Sequence, residues 1–459
     1  MSAVSTASVD RDSGALDVGP DSRWNLLTRI AFRFCFTYFG LFCLIFPQFL
    51  FVYSGVLGPK LPERAINGLL DPLSPIWEWV GRHVFGADVQ LHLDSGSGDQ
   101  AIIWVFLFCD LVVAVLATVV WSVLDRHRPN YQRLNAWFML FIRLCLAGQM
   151  LFYGMAKVIP TQMPEPALTT LLTQYGDFTP AAVLWTQVGS SPVYEILLGS
   201  AEVLGGLLLF LPRTATLGAM LSLVSLAQVF VLNMTFDVPV KILAGHLMLI
   251  SLVLLAPQAR RLANVLVLQR SSEPATQPEP FRSRRIRWIA VGVQAVLAVW
   301  VLLGLVQQDM KFWNEGGGGT EKPVLYGIWT VSEFTQDGRP LAPLTTDQDR
   351  WQRVIFDIGG MTYQKMDGSL VPVVGAVDTE AHTVMVSKAA DDALPGQIAQ
   401  AQPTRIGNFT FTQPAPDRLR LDGQLNGHQV TLTLEQVDLN SFPLRSTGFK
   451  WVQDYPHFN

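Results

Sequence analysis

LNAWFMLFIRLCLAGQMLFYGMAKVIP, residues Leu134 to Pro160, is long enough to cross a bilayer and apolar almost throughout. Yet it carries Arg143, Gln149, Tyr153 and Lys157. Ionisable groups at membrane depth are costly and usually face a bundle interior or a wet cavity. Gln149, Tyr153 and Lys157 recur at every fourth position, which sets them on one helical face, about 40° apart around the axis. A polar stripe running to one end of a span predicts neighbouring helices with groups to meet it.

Working outward, the whole chain supports a membrane reading. Its 459 residues are 50% hydrophobic and only 15% charged, with a mean hydropathy of +0.30. A soluble protein of this size would carry roughly a quarter charged residues. The net charge of -4 gives no support for a nucleic-acid partner. All four cysteines (Cys35, Cys43, Cys109 and Cys145) lie inside apolar runs with no CxxC pair. That argues against a disulfide framework, a thiol-redox motif or a metal site. Residues 1–22 are polar and lack a cleavable apolar core, and they read as a disordered cytoplasmic tail.

About seven stretches reach bilayer length: Arg29–Gly55, Ala101–Leu124, Leu134–Pro160, Val193–Leu211, Thr214–Asn233, Val238–Ala256 and Arg287–Val306. Basic residues cluster in alternate connections: Arg126, Arg128 and Arg133, then Arg213, then Arg260 to Arg287. The positive-inside rule then predicts a cytoplasmic N-terminus and an extracytoplasmic C-terminal domain. Two additional spans with an outer loop at 58–100 occupy 23–132, a four-helix unit occupies 133–265, and a cytoplasmic linker follows at 266–286. The seventh span covers 287–308, and a Gly-rich stretch at 309–323 reads as a flexible tether. In the first outer loop, Ile76–Phe85 predicts an interfacial helix with Trp77 and Trp79 at headgroup level. Thr161–Pro192 reads as a re-entrant segment or one lying flat on the membrane.

From 324 to 459 the pattern changes to some eight short alternating segments, with hairpin signals at Asp367-Gly368 and Asn426-Gly427. This predicts an all-β barrel or sandwich. Gly327-Ile328-Trp329 resembles the GxW element that opens lipocalin-type barrels; a Trp plugging one end of any small barrel explains it equally well. The fold class is therefore a membrane α-helical bundle with a C-terminal all-β domain.

With depth counted at about 1.5 Å per residue, Gln149, Tyr153 and Lys157 approach the outer end of their span. Glu195 and Glu202 descend the next one on a shared face. Asn233, Asp237 and Lys241 straddle the following turn, and His246 lies deeper. One reading is an outward-open pocket in which Lys157, Glu202 and His246 are catalytic and Gln149, Tyr153, Glu195, Asn233, Asp237 and Lys241 bind the ligand. The other is a set of helix-locking ion pairs, Glu202 with Lys157 and Asp237 with Lys241. Asp110 and Arg143 are expected to form a buried structural pair between the second and third spans. Gly199, Gly205 and Gly206 are expected to permit close helix approach.

Arg143, Gly154-Met155-Ala156-Lys157, the run Glu202 to Leu211 with Gly205-Gly206, and Arg213 resemble the DoxX pattern of an Arg, a G-x-x-K, an E-x-x-G-G and a following Arg. YGMAKVIP (Tyr153–Pro160) and DVPVK (Asp237–Lys241) are similar to larger bacterial DoxX-like proteins. The resemblance covers about Arg133–Leu262 and implies a four-helix bundle in the bacterial plasma membrane. The family takes its name from a subunit of a thiosulfate:quinone oxidoreductase. A quinone substrate and membrane-complex partners are therefore what the resemblance implies. This chain departs from the short family form by two earlier helices, one later helix and a β-domain. Its sixth span also ends in Pro257-Gln258-Ala259-Arg260-Arg261, not in glycines. No tightly bound cofactor motif is evident. Two functions follow as expectations: a quinone-linked redox component, or a non-enzymatic assembly or lipid-binding protein acting through its β-domain. A transporter is weaker, since no inverted repeat is visible.

Overall fold

A computed structural model describes residues 23–62, 67–272, 280–281, 283–388 and 404–455. The expected 1–22 tail and most of the 271–280 linker lie outside these residues. Among the described residues, seven helices are long and apolar enough to cross a membrane: Leu26–Ile45, Ala101–Leu124, Gln132–Val158, Pro192–Phe210, Ala215–Thr235, Lys241–Leu266 and Arg284–Gly316. They are the first to seventh spans. A tight turn at Ala256–Gln258 interrupts the sixth, at the Pro257 that removes a helical N–H.

The third span is the axis. Of its most apolar window, 67% is buried inside the protein, against 28% for the first, fifth and seventh spans. Spans three to six form a closed ring, each packed on the next and the sixth back on the third. The third and fourth spans approach most closely, at Gly154 and Gly199. A Cβ on Gly199 would stand 2.6 Å from the Cβ of Lys157, so only glycine permits this crossing. The first span packs on the second and third, and the seventh on the third and on the Val52–Lys60 turn. There Gly304 meets the backbone of Gly55 too closely for any side chain.

Two expectations change, and one connection gains detail. The interfacial helix spans Leu70–Val84, and Trp77 turns inward onto Phe106, with ring centroids 5.1 Å apart, while Trp79 stays exposed. One side of that helix thus packs on protein. The 309–323 stretch is not a flexible tether. The seventh helix runs on to Gly316, and Gly317 and Gly319 donate N–H groups to the Trp313 carbonyl at 3.2 and 3.1 Å. Gly318 and Gly319 lie against the Trp313 ring where a Cβ has no room. These glycines serve a helix end wrapped on an indole. Finally, the 161–192 connection folds into two tight turns, Thr170–Leu172 and Tyr175–Asp177, and a helix, Pro180–Gly189. Its Leu168 is buried with Ile328 and Ile355 of the β-domain.

That domain is an eight-stranded antiparallel barrel: β1 Gly327–Gln336, β2 Trp351–Asp357, β3 Gly360–Lys365, β4 Leu370–Asp378, β5 Thr383–Lys388, β6 Thr404–Ala415, β7 Arg418–Leu425 and β8 His428–Gln436. Each strand pairs with the next, and β1 pairs with β8 to close it. Asn426 and Gly427 both have positive φ, 50° and 86°, as the tight β7–β8 hairpin requires. Inward residues such as Trp329, Trp351, Phe409 and Leu432 fill the interior. Trp329 donates to the Leu325 carbonyl at 2.8 Å and so plugs one end.

Two tests follow. Gly304→Val should destabilise the protein by about 1–3 kcal/mol through overpacking against Gly55, read as a lower Tm in detergent with the β-domain still folded. In the barrel, His428 Nδ1 lies 2.7 Å from Asp337 Oδ2, and the Gln429 N–H donates to Oδ1 at 3.1 Å. These contacts hold the Asp337 carboxyl below its ordinary 3.8. A carboxyl lowered by folding contributes stability above its unfolded pKa, and that stability is lost as pH falls through the folded one. Tryptophan-monitored Tm should therefore drop below pH 4, and by less in Asp337→Asn; an identical drop in both would remove the assigned role.

Candidate functional site

The polar stripe of the third span does meet partners, and they sit on the barrel side of the bundle. Gln149 donates to the Gln48 carbonyl at 2.9 Å, and Tyr153 Oη donates to the Gln48 side chain at 3.2 Å. Gln48 belongs to the short turn that follows the first span. One turn on, Lys157 Nζ lies 2.8 Å from Glu202 Oε2 and donates to the Tyr153 carbonyl at 3.3 Å. Lys157 and Glu202 are 5% and 6% exposed, so each charge is neutralised almost entirely by the other. The Gly154–Gly199 crossing is what brings the two helices near enough for this contact.

Glu195 is fully buried. One of its oxygens accepts from the Met163 N–H at 3.0 Å, and the other has no hydrogen-bond partner. It therefore ties the 161–192 connection to the fourth span. Asn233 donates to the Val240 carbonyl at 3.4 Å, across the turn in which Asp237 adopts a positive φ of 55°. Lys241 pairs with Asp237 at 2.8 Å, near the surface.

His246 does not join Lys157 and Glu202. Its Nε2 lies 2.8 Å from Tyr38 Oη, its Nδ1 lies 2.7 Å from the Ile242 carbonyl, and its ring stacks on Phe42 with centroids 4.2 Å apart. It is held among aromatic rings of the first span, at a different helix contact. The expected pocket of three reactive groups is therefore split in two.

The expected Asp110–Arg143 pair does not form. Arg143 donates to Gln294 of the seventh span, while both Asp110 oxygens are buried without a hydrogen-bond partner. Depth explains this. Asp110 lies nine residues from the barrel-side end of its span and Arg143 fifteen from that of its own, a difference of about 9 Å. The second span also packs chiefly on the first and on the interfacial helix, not on the third.

Two polar networks escaped the sequence reading. Asp99, in the turn before the second span, accepts from the Lys241 and Ile242 N–H groups at 2.8 and 2.9 Å. It caps the sixth span from 142 residues away, and no local pattern announces such a cap. Arg33, 1% exposed, donates to Tyr131, to Ser122 and to the Asp125 carbonyl, all at 2.7–3.1 Å. Its signal was an arginine inside the first apolar run, of the same kind as Arg143. Among the described residues no group of three or more His, Cys, Asp or Glu side chains is arranged to hold a metal.

Chemically, Lys157 and Glu202 form a closed pair, while Gln149 Oε1 and Glu195 Oε2 beside them are buried without a hydrogen-bond partner. If it is a lock, then Lys157→Met or Glu202→Met alone should destabilise by about 3–5 kcal/mol, because each leaves a buried charge unpaired. The double variant should recover most of that loss. A double-mutant cycle on Tm in detergent measures it, and additive single losses would speak against the lock.

No family model matches the chain, and no solved structure matches it. Over 144 residues, 31% of this chain and 85% of the relative, it is 33% identical to the uncharacterized protein YwoB of Bacillus subtilis (strain 168). By that identity and coverage, the chain belongs to the same family as the uncharacterized protein YwoB.

Proposed function

We propose that the chain is a DoxX-like protein of the bacterial plasma membrane that acts by assembly and not by catalysis. In this reading the bundle fixes the barrel at the extracytoplasmic surface, where its outer face engages other membrane components. The observation that carries the reading is how the barrel is fastened. Leu168 is buried with Ile328 and Ile355, and its N–H donates to Asp357 Oδ2 at 2.7 Å. The seventh span supplies a second, capped attachment. A domain held at two points with its interior filled has its surface to offer, not a ligand cavity.

The bundle supports the same view. Lys157 and Glu202 neutralise each other, and neither lines the cavity beside Arg143 or the one beside Arg445. The quinone-linked alternative needs Lys157, Glu202 and His246 in one pocket, and His246 lies with Tyr38 and Phe42 instead. The DoxX reading itself rests on the motifs around Arg143, Lys157 and Glu202.

Native mass spectrometry with quinone extraction, on the wild type and Glu202→Gln, tests the reading together with native gels of solubilised membranes. No co-purified quinone is expected. A larger complex is expected that survives Glu202→Gln and disappears when 324–459 is deleted. A bound quinone that Glu202→Gln loses would overturn the proposal in favour of redox chemistry.

A further inference from the structure

Beyond the last barrel strand the chain turns back toward the bundle. Leu439 and Phe442 pack against the cluster of Leu168, Ile328 and Ile355 that fastens the barrel. Leu444 and Arg445 then line a small cleft with Gly189 and Ser190 of the 161–192 connection. Those two residues stand just before the fourth span, Pro192–Phe210. Its 19 residues measure about 28 Å, close to the hydrocarbon thickness of about 30 Å. Pro192 therefore marks the edge of the hydrocarbon, and Leu444 and Arg445 sit beside it at headgroup level.

A run of exposed apolar side chains follows. Phe449, Trp451, Val452 and Tyr455 are 80%, 91%, 78% and 81% exposed. Phe449 and Trp451 meet edge to face, with ring centroids 5.0 Å apart, as residues two apart in an extended chain share one side. Single exposed apolar residues are ordinary, but large ones gathered in so short a stretch mark a contact surface. Four extended residues carry a chain at most about 14 Å, so Phe449 stays within reach of the headgroup layer at which Arg445 sits.

The barrel has no place for these side chains. Its interior is filled and its sheet is closed by the β1–β8 pairing, so the segment cannot join it as a further strand. Residues 448–455 are neither helix nor strand, so their peptide groups lack the internal hydrogen bonds that hydrocarbon demands. A headgroup layer, wet yet bordering on lipid tails, accepts both the open backbone and the rings. The composition fits that layer: Trp451 and Tyr455 each join an apolar body to a polar tip, and Lys450 stands between two rings. Trp79 and Tyr175 are exposed on the same side of the bundle, so the segment extends an aromatic belt.

We propose that residues 449–455 form an interfacial anchor whose partner is the lipid surface on the barrel side of the membrane. Phe449, Trp451 and Tyr455 dip toward the acyl chains, while Lys450 and Asp454 stay with headgroups and water. The two charges offset each other, so the anchor works through its rings and does not select anionic lipid. It gives the barrel a contact with lipid beside its contacts with Leu168 and the seventh span. The inference rests on the membrane-length helices and on the position of Arg445. No step of the assembly reading depends on it.

The test uses the full chain in phosphatidylcholine nanodiscs. The emission of Trp451 is isolated as the difference between the wild type and Trp451→Phe, which keeps a ring in place. Lipids brominated near the headgroup end of the tail should quench that emission. Acrylamide in the water should quench it about threefold less than it quenches free N-acetyltryptophanamide. Adding phosphatidylglycerol should change either result by less than about twofold. A nitroxide attached in Gln453→Cys, read against the wild type treated in the same way, reports the same level without touching a ring. It should be more accessible to oxygen, which partitions into lipid, than to a nickel complex confined to water. Full quenching by acrylamide and none by brominated lipid would put the segment in water and overturn the proposal. Shielding from both quenchers would place a protein surface over it, a second copy or another chain, and overturn lipid as the partner. Lipid quenching seen only with phosphatidylglycerol present would overturn the aromatic anchor in favour of a charge contact.

Discussion

Close approach of the third and fourth spans is the constraint on which the rest of the molecule depends. In hydrocarbon no water is at hand to satisfy a stray charge, so a lysine at membrane depth needs a partner built into the fold. Gly154 and Gly199 let two backbones come together, and that proximity puts Lys157 on Glu202. The remaining spans then close a ring around the third. The same helix carries charge toward both ends, and the two are handled differently. Lys157 is neutralised by a carboxylate, whereas Arg143 is met by the amide of Gln294 and keeps a donor in reserve.

This asymmetry divides the molecule by chemistry. On the barrel side Glu202 is committed to Lys157, one oxygen of Glu195 to the Met163 N–H and Asp99 to the sixth helix start, while Asp110 and Asp309 keep buried oxygens without a hydrogen-bond partner. At the opposite side a cavity is lined by Arg143, Arg213, Arg284 and Arg287.

Much of this architecture was legible in the residues. Apolar runs of bilayer length and period-two alternation report directly on burial, so seven helices and an all-β domain, barrel or sandwich, followed from hydropathy and turn chemistry. Lys157–Glu202 and Asp237–Lys241 were legible too: depth fixes the first, and an i,i+4 spacing the second. What failed had one physical root, since a sequence states how deep a side chain lies but not which helix stands beside it. Asp110 and Arg143 were matched by approximate depth, yet the second span packs elsewhere. His246 faced the first span and not the fourth. Asp99 reaches a helix start through tertiary folding alone. The glycine run misled for another reason: glycine marks flexibility and tight packing alike, and only the indole of Trp313 tells the two apart.

That wrapped helix end has a mechanical meaning. The seventh span is 33 residues long, about 50 Å, against a hydrocarbon core of about 30 Å. It is longer than one crossing needs, and its capped end leaves little slack. A glycine leash would let the barrel sweep a hemisphere over the membrane. A post with a docked collar fixes its height and orientation, so any component that meets the barrel meets the same face of it each time.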